Sequence, residues 1–362
     1  IIYLQNGILA MSCSIINDKQ MLDANFWIEK LANPNEILMT IDKIQQFNND
    51  SIKIIPEILV DINNYPEYIY GDVIKSYLNQ NKFPSSPRYI GRNLVSNDYY
   101  KNLYKKMNLD KIKDSFEVLY GLTLRRSDIR TFPTKDAIYS TPTDLEFDLF
   151  QETTVEPAEP LVVLHKIPNW FYVQTSNYRG WIEENNVTIL ENKSVWQDYI
   201  NFKDYIIVLA SKLKLDNNPY NPEFSGLEFS MGTKIPINKN FSRFVVDNQS
   251  IAGNYVALLP VKNNQTSAFK EVLIHKVADV TEKFIPFTRK NILKQAFKTI
   301  GERYGWGGMF NSRDCSSLIT DVFKTFGFLL PRNCNQQEQI PAKKYKFTNE
   351  DTNKRNEIIK KM

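Results

Sequence analysis

The spacing of apolar residues changes character near residue 117 and again near residue 288. Between those points they come in short runs: Leu161-Val162-Val163-Leu164, Trp170-Phe171-Tyr172-Val173 and Gly180-Trp181-Ile182. Asn177-Tyr178-Arg179-Gly180 reads as a hairpin turn between the last two. Short strands at such close spacing predict a small β-barrel. A similar set at 205–209, 254–259 and 272–274 predicts a second one. After 288 the period is helical. Ile292, Leu293, Ala296, Phe297 and Ile300 share one face, with Thr288 as cap. Leu318, Ile319, Val322, Phe323 and Phe326 share another, and Gly327 supplies the stop. This last helix begins at Cys315, with Asp314 as its N-cap.

A chain of 362 residues exceeds one ordinary domain, which spans ~100–200 residues. The class is therefore α+β and multidomain. Residues 20–115 hold short helical stretches, one of them capped by Thr40 and running through Phe47. Turn signals at Asn63-Asn64-Tyr65-Pro66 and Pro84-Ser85-Ser86-Pro87 break them up. So little periodic apolar sequence cannot build a large core, and the segment is expected to wrap over its neighbours. A net charge of +4 gives no nucleic-acid signature. Cys13, Cys315 and Cys334 have neither the parity of a disulfide framework nor the spacing of a zinc site.

Residues 1–12 are mostly apolar and uncharged, too few for a membrane span of ~20 residues. They are expected to be the tail of a secretory segment. Ala10-Met11-Ser12-Cys13 resembles a lipoprotein cleavage site, which makes Cys13 a candidate lipid anchor. The alternative is a short buried segment with an ordinary apolar cysteine.

The chemistry centres on Cys315. It follows a glycine-aromatic turn, Tyr304-Gly305-Trp306-Gly307-Gly308, within Arg313-Asp314-Cys315-Ser316-Ser317. Unpaired N–H groups at a helix start lower a thiol's pKa from ~8.5 and offer donors to an oxyanion. Asp314 opposes the first effect by its charge, unless it caps the helix or receives a substrate amine. The glycines let backbone approach a ligand, and Tyr304 and Trp306 can wall a cleft. A cysteine here also fits a small buried hydrophobe. Cys334 lies in a polar run, Arg332-Asn333-Cys334-Asn335, and reads as a loop residue without a catalytic part. His165 and His275 sit inside apolar β-like runs and read as structural. A cysteine nucleophile needs a base, usually imidazole, and no histidine follows Cys315 in these residues.

Taken together, the turn at 304–308, Arg313-Asp314-Cys315-Ser316, Gly327-Phe328-Leu329-Leu330-Pro331-Arg332 and Gln336-Gln337 resemble the NlpC family of bacterial cell-wall cysteine peptidases. The upstream chain resembles its multidomain members, which have an N-terminal helical clip and two bacterial SH3-like domains. The run from Arg125 to Thr134, Phe150-Gln151-Glu152 and Tyr178-Arg179-Gly180-Trp181 carry the first of these; 231–236 resembles the opening of the second. The resemblance implies a papain-like α+β peptidase domain, Cys315 as nucleophile, no metal or organic cofactor, and cleavage between D-γ-glutamate and the diamino acid of peptidoglycan stem peptides. It implies substrate-binding roles for Tyr304, Trp306, Asp314 and Ser316. It also implies an acidic contribution from the first SH3-like domain, with Asp128 and Glu152 as candidates. Arg126 and Arg130 fit equally well as ion-pair partners within that domain.

The expected layout is 1–19 as a signal or lipoprotein remnant, 20–115 as the clip, 116–195 and 196–284 as the two SH3-like domains, and 285–362 as the first half of the peptidase domain. The strands that carry the family's base histidine are not represented, so the chain is expected to be inactive as given. Partners are expected to be stem peptides or muropeptides, with no nucleic acid and no integral membrane span. The location is expected to be exported, in the envelope or outside the cell. Two rival readings remain: a non-catalytic family member that binds wall fragments, and a structural array of β-domains.

Overall fold

The computed structural model describes residues 19–80, 84–262 and 268–344. Eight helices lie among them: α1 (Ala24–Ile28), α2 (Ile41–Ile54), α3 (Gly71–Leu78), α4 (Asn97–Lys106), α5 (Lys193–Ile200), α6 (Arg289–Phe297), α7 (Cys315–Lys324) and α8 (Cys334–Gln337). Cys13 and the proposed leader lie outside the described residues.

The short apolar runs between 119 and 189 form one seven-stranded antiparallel sheet. Its terminal strands, Val187–Ile189 and Gln151–Val155, both feed one core: Val187 and Val155 join Ile129, Leu161, Val163, Phe171, Val173 and Ile182. The sheet must curl on itself for its two edges to meet there. Burial of side chains from both edges is what drives that closure. Gly180 allows it, since a Cβ there would lie 2.6 Å from Ile129 Cγ2.

The second β-rich stretch is less continuous than its sequence predicts. Among the described residues it forms a three-stranded sheet of Tyr205–Val208, Lys234–Pro236 and Val280–Thr281, a long hairpin of Asn254–Pro260 with Phe269–His275, and two shorter ladders. Residues from this stretch, from the first sheet and from 62–112 share one large core. The N-terminal segment therefore borrows its apolar environment from its neighbours: Ile74, Leu78 and Met107 are fully buried in that shared core.

Two helix expectations need correction. α2 runs on to Ile54 instead of stopping at Phe47. Beyond Phe47 the helix is held by a tertiary partner: Asn48 donates to Gly327 O at 2.9 Å and accepts from Leu329 N at 2.8 Å. α6 is capped by Thr288 as its spacing indicates, but it ends at Phe297. Ile300 lies beyond it and is exposed. The buried residue of α6 is Gln295, whose amide donates to Leu209 O, while Ile292 and Ala296 pack on the α7 cluster.

α7 follows its sequence pattern closely. Val322 and Phe326 are buried with Phe328, Leu330, Ile44 and Met231, and Leu318, Ile319 and Phe323 flank them. Gly327, at φ +93°, turns the chain at the helix end, a conformation that glycine adopts without strain. The turn sends the chain back along α7, so that α8 starts beside the start of α7.

Candidate active site

The turn at 304–308 is closed by backbone. Gly305 N donates to Arg313 O at 2.8 Å, and Gly308 N to Gly305 O at 3.0 Å. It lies flat against the first sheet: Gln151 Nε2 donates to Gly307 O at 2.9 Å and Arg126 to Gly308 O at 3.1 Å. Gly307 has φ +55°, and a Cβ there would lie 2.9 Å from Gln151 O. Gly307→Ala therefore meets both left-handed strain and backbone contact. It is expected to cost about 1–3 kcal/mol of stability, read as a lower urea midpoint; an unchanged midpoint would show that the turn does not press on the sheet.

α7 starts immediately after this turn. Asp314 caps it, accepting from Ser317 N at 2.8 Å, while Ser317 Oγ accepts from Asp314 N in a capping box. The Asp314 carboxylate also accepts from Gly307 N at 3.0 Å and from both terminal nitrogens of Arg332, at 3.1 and 2.7 Å. Burial alone would raise this carboxyl, but the Arg332 guanidinium and the Ser317 donors outweigh it and hold it below the usual carboxylate range. Arg332 further donates to Ser316 Oγ at 2.7 Å and to Thr153 Oγ1 of the first sheet at 2.6 Å.

On the other side of the thiol, Arg313 is equally committed. It pairs with Glu302 and Asp321, each at 2.8 Å, and donates to Ser211 O at 2.7 Å. The residues flanking Cys315 are thus anchored through two buried arginines, one reaching each β-rich stretch. Arg126 and Arg130 are in ion pairs with Glu156 and Asp148; Arg126 in addition reaches the glycine turn.

Cys315 itself is exposed and in no disulfide, at the first position of α7. Tyr304 hydrogen-bonds to it. Burial, then the neighbouring Cys315 and Asp314, push the Tyr304 phenol up, so it stays a neutral donor. Trp306 packs edge-on against Phe147 and donates its indole N–H to Asp148 O at 3.1 Å. The proposed substrate-binding residues therefore fall into two groups. Tyr304 is exposed beside the thiol and Trp306 exposed on the glycine turn; Asp314 and Ser316 are buried and bonded to Arg332.

The structure also brings in a residue that sequence reasoning set aside. Cys334 opens α8, and its Sγ lies 3.4 Å from Cys315 Sγ. Burial, Cys334 and Asp314 push the Cys315 thiol up, and a backbone bond from Ser316 opposes them only in part. The expectation that the helix start lowers this thiol's pKa is overturned by those neighbours. Cys334→Ala is expected to move the pH profile of Cys315 alkylation to lower pH, because a group that disfavours the thiolate is gone. A profile that stays in place would contradict this.

Of the two acidic candidates on the first sheet, Glu152 lines a cavity of about 270 Å³ with Tyr77, Tyr178, Arg179 and Gln336. It accepts from Tyr178 and Thr131 hydroxyls. Asp128 is exposed, accepts from Gln151 at 2.9 Å and does not line this cavity. Gln336 belongs to α8, so the cavity reaches that helix, although neither Cys315 nor Cys334 lines it.

Residues 301–358 match the model of the NlpC/P60 family, and residues 138–183 match that of an SH3 domain of the SH3b1 type. The chain carries an NlpC-type peptidase domain preceded by an SH3-like domain. Among solved structures, an NlpC/P60 endopeptidase from Photobacterium damselae subsp. piscicida is 18% identical with a TM-score of 0.65, over 87% of this chain and 69% of that one. An NlpC/P60 family protein from Bacillus cereus is 18% identical with a TM-score of 0.38, over 52% of this chain and 59% of its own. The first of these likenesses is one of fold. No curated protein matches the sequence. Among the described residues of this NlpC-type chain, no helix is long and apolar enough to cross a membrane, and no cluster of three or more His, Cys, Asp or Glu could hold a metal ion.

Proposed function

We propose that the chain is an exported cysteine endopeptidase of cell-wall stem peptides, cutting between D-γ-glutamate and the diamino acid. The observation that carries this reading is the exposed Cys315 thiol at the start of α7, beside Tyr304, within a match to the NlpC/P60 family. The thiolate attacks the isopeptide carbonyl, and N–H groups of the first helical turn hold the oxyanion. An imidazole takes the thiol proton and returns it to the leaving amine. Water then releases the thioester.

We further propose that 20–115 is a helical clip and that 196–284 is a second SH3-like domain. Glu152, with Tyr178, is the candidate for binding the free amine of the stem's L-alanine, since it lines a cavity that reaches α8, the helix opened by Cys334. Asp314 and Ser316 then act chiefly through Arg332, holding the turn and the helix start in place.

His165 is buried with its Nε2 against Met107 O at 2.9 Å, and His275 pairs with Asp216 at 2.7 Å. Neither is partnered with Cys315, so these 362 residues by themselves are expected to hydrolyse slowly. That same observation favours a second reading, a module that binds wall fragments without cutting them.

Defined stem peptides, free or acetylated at L-alanine, test the reading. The free peptide is expected to bind and be cut at least about tenfold better, the worth of one charged contact. Equal treatment of both would remove Glu152 from the account. Failure to bind either would remove the wall-peptide reading.

A further inference from the structure

The second thiol beside the proposed nucleophile has no part in the hydrolytic mechanism. Cys315 and Cys334 stand at the first positions of two helices whose starts face each other, with their sulfurs 3.4 Å apart and in no disulfide. Cys315 is exposed and Cys334 half-buried behind it. An oxidant therefore meets Cys315 first, and a second thiol is already in line. A disulfide needs an S–S separation of about 2.05 Å, so the sulfurs must close by little more than an ångström. α8 is a single short turn anchored by its Asn333 capping box and by Gln337, which donates to Ser316 O at 3.2 Å.

We propose that Cys334 is a resolving cysteine that makes Cys315 a site of reversible oxidation by peroxides; the regulatory consequence rests on Cys315 being the nucleophile. In the first step the Cys315 sulfur attacks the peroxide O–O bond. This gives the sulfenic acid and one water from hydrogen peroxide. In the second, the Cys334 sulfur attacks the sulfenic sulfur, the S–O bond breaks, and the oxygen leaves as a second water. Two thiols lose two electrons and two protons, and the peroxide gains them. The disulfide ties up the nucleophile and also shields it from further oxidation to the sulfinic state, which thiols do not reverse. Attack by an external dithiol on the disulfide returns both cysteines.

The raised pKa of Cys315 fits a resting thiol that oxidises slowly. Its reaction is expected to accelerate as pH rises.

The test uses the full chain treated with hydrogen peroxide, quenched with iodoacetamide, digested and mapped by mass spectrometry. The expected product is one cross-linked pair holding Cys315 and Cys334, lighter by two hydrogens than the separate peptides. Alkylatable Cys315 should fall at least about tenfold and recover on treatment with dithiothreitol. In Cys334→Ser, Cys315 should instead gain two oxygens, and dithiothreitol should not restore it. Wild-type protein in which Cys315 reaches the sulfinic state while Cys334 stays alkylatable would overturn the proposal, as would cross-linking of Cys315 to Cys13 alone. The two readings separate cleanly. A chain that forms the cross-link but does not act on stem peptides when reduced leaves the thiol pair standing and defeats the peptidase reading. One that cleaves when reduced but never cross-links defeats the thiol pair alone.

Discussion

Arg332→Ala is expected to destabilise the protein by about 3–5 kcal/mol, the cost of leaving one partner of a buried ion pair alone. Both side chains are almost fully buried, and Arg332 makes four hydrogen bonds, to Asp314, Ser316 and Thr153. Without the guanidinium, the Asp314 carboxylate keeps its helix-cap bond but loses its counter-charge. The glycine turn loses support from the first sheet at the same time. Urea unfolding of wild type and variant measures the difference, and a loss below about 1 kcal/mol would contradict it. Asp314→Asn with Arg332→Met should recover part of the loss, because asparagine still caps a helix and no lone charge remains.

The pH dependence of that difference follows from the sign of the Asp314 shift. Its folded pKa is depressed below the unfolded value of about 3.9. The stabilisation is therefore present above that unfolded value and is lost as pH falls through the lower folded one. The gap between wild type and Arg332→Ala should narrow in acid. A gap that widens there would show that Arg332 stabilises the fold by something other than this pair.

Cys315→Ala carries the largest functional effect. With imidazole supplied as the base, loss of a covalent nucleophile costs roughly 10³-fold or more in turnover, because the residual rate comes from binding and oxyanion donors alone. Binding of stem peptide should change little, since Tyr304, Trp306 and the Glu152 cavity remain. A variant that keeps its turnover would move the chemistry away from α7. A variant that loses binding and turnover together would mean that the thiol holds the fold or the ligand and does not react.

Much of the arrangement around the thiol is written in local sequence. Asp314 and Thr288 are N-caps at the spacing that capping demands, and the apolar face of α7 reads off residues 318–326. The first sheet is legible because its short apolar runs alternate with turn residues. What could not be read depends on contacts distant in the chain. The helix capped by Thr40 is expected to run only through Phe47, yet it continues to Ile54, with the Asn48 amide bonded to the turn after α7. Ile300 fits the apolar face of α6, but the helix has ended before it. Cys334 looks like a loop residue because its neighbours are polar. Only the reversal at Gly327 brings it back to Cys315, and no local spacing records that. The same holds for Arg332: its residue type is plain, but its position between Asp314 and Thr153 belongs to the tertiary fold.

The central claim is that Cys315 attacks a stem-peptide carbonyl, and an acyl-enzyme is its direct signature. The measurement is mass spectrometry of the chain after acid quench of a reaction with stem peptide, with free imidazole added to supply the base that neither His165 nor His275 offers. The account predicts a thioester on Cys315, formed faster as imidazole rises and absent from Cys315→Ala. An adduct on another residue, or cleavage of the peptide by Cys315→Ala at the wild-type rate, would contradict it.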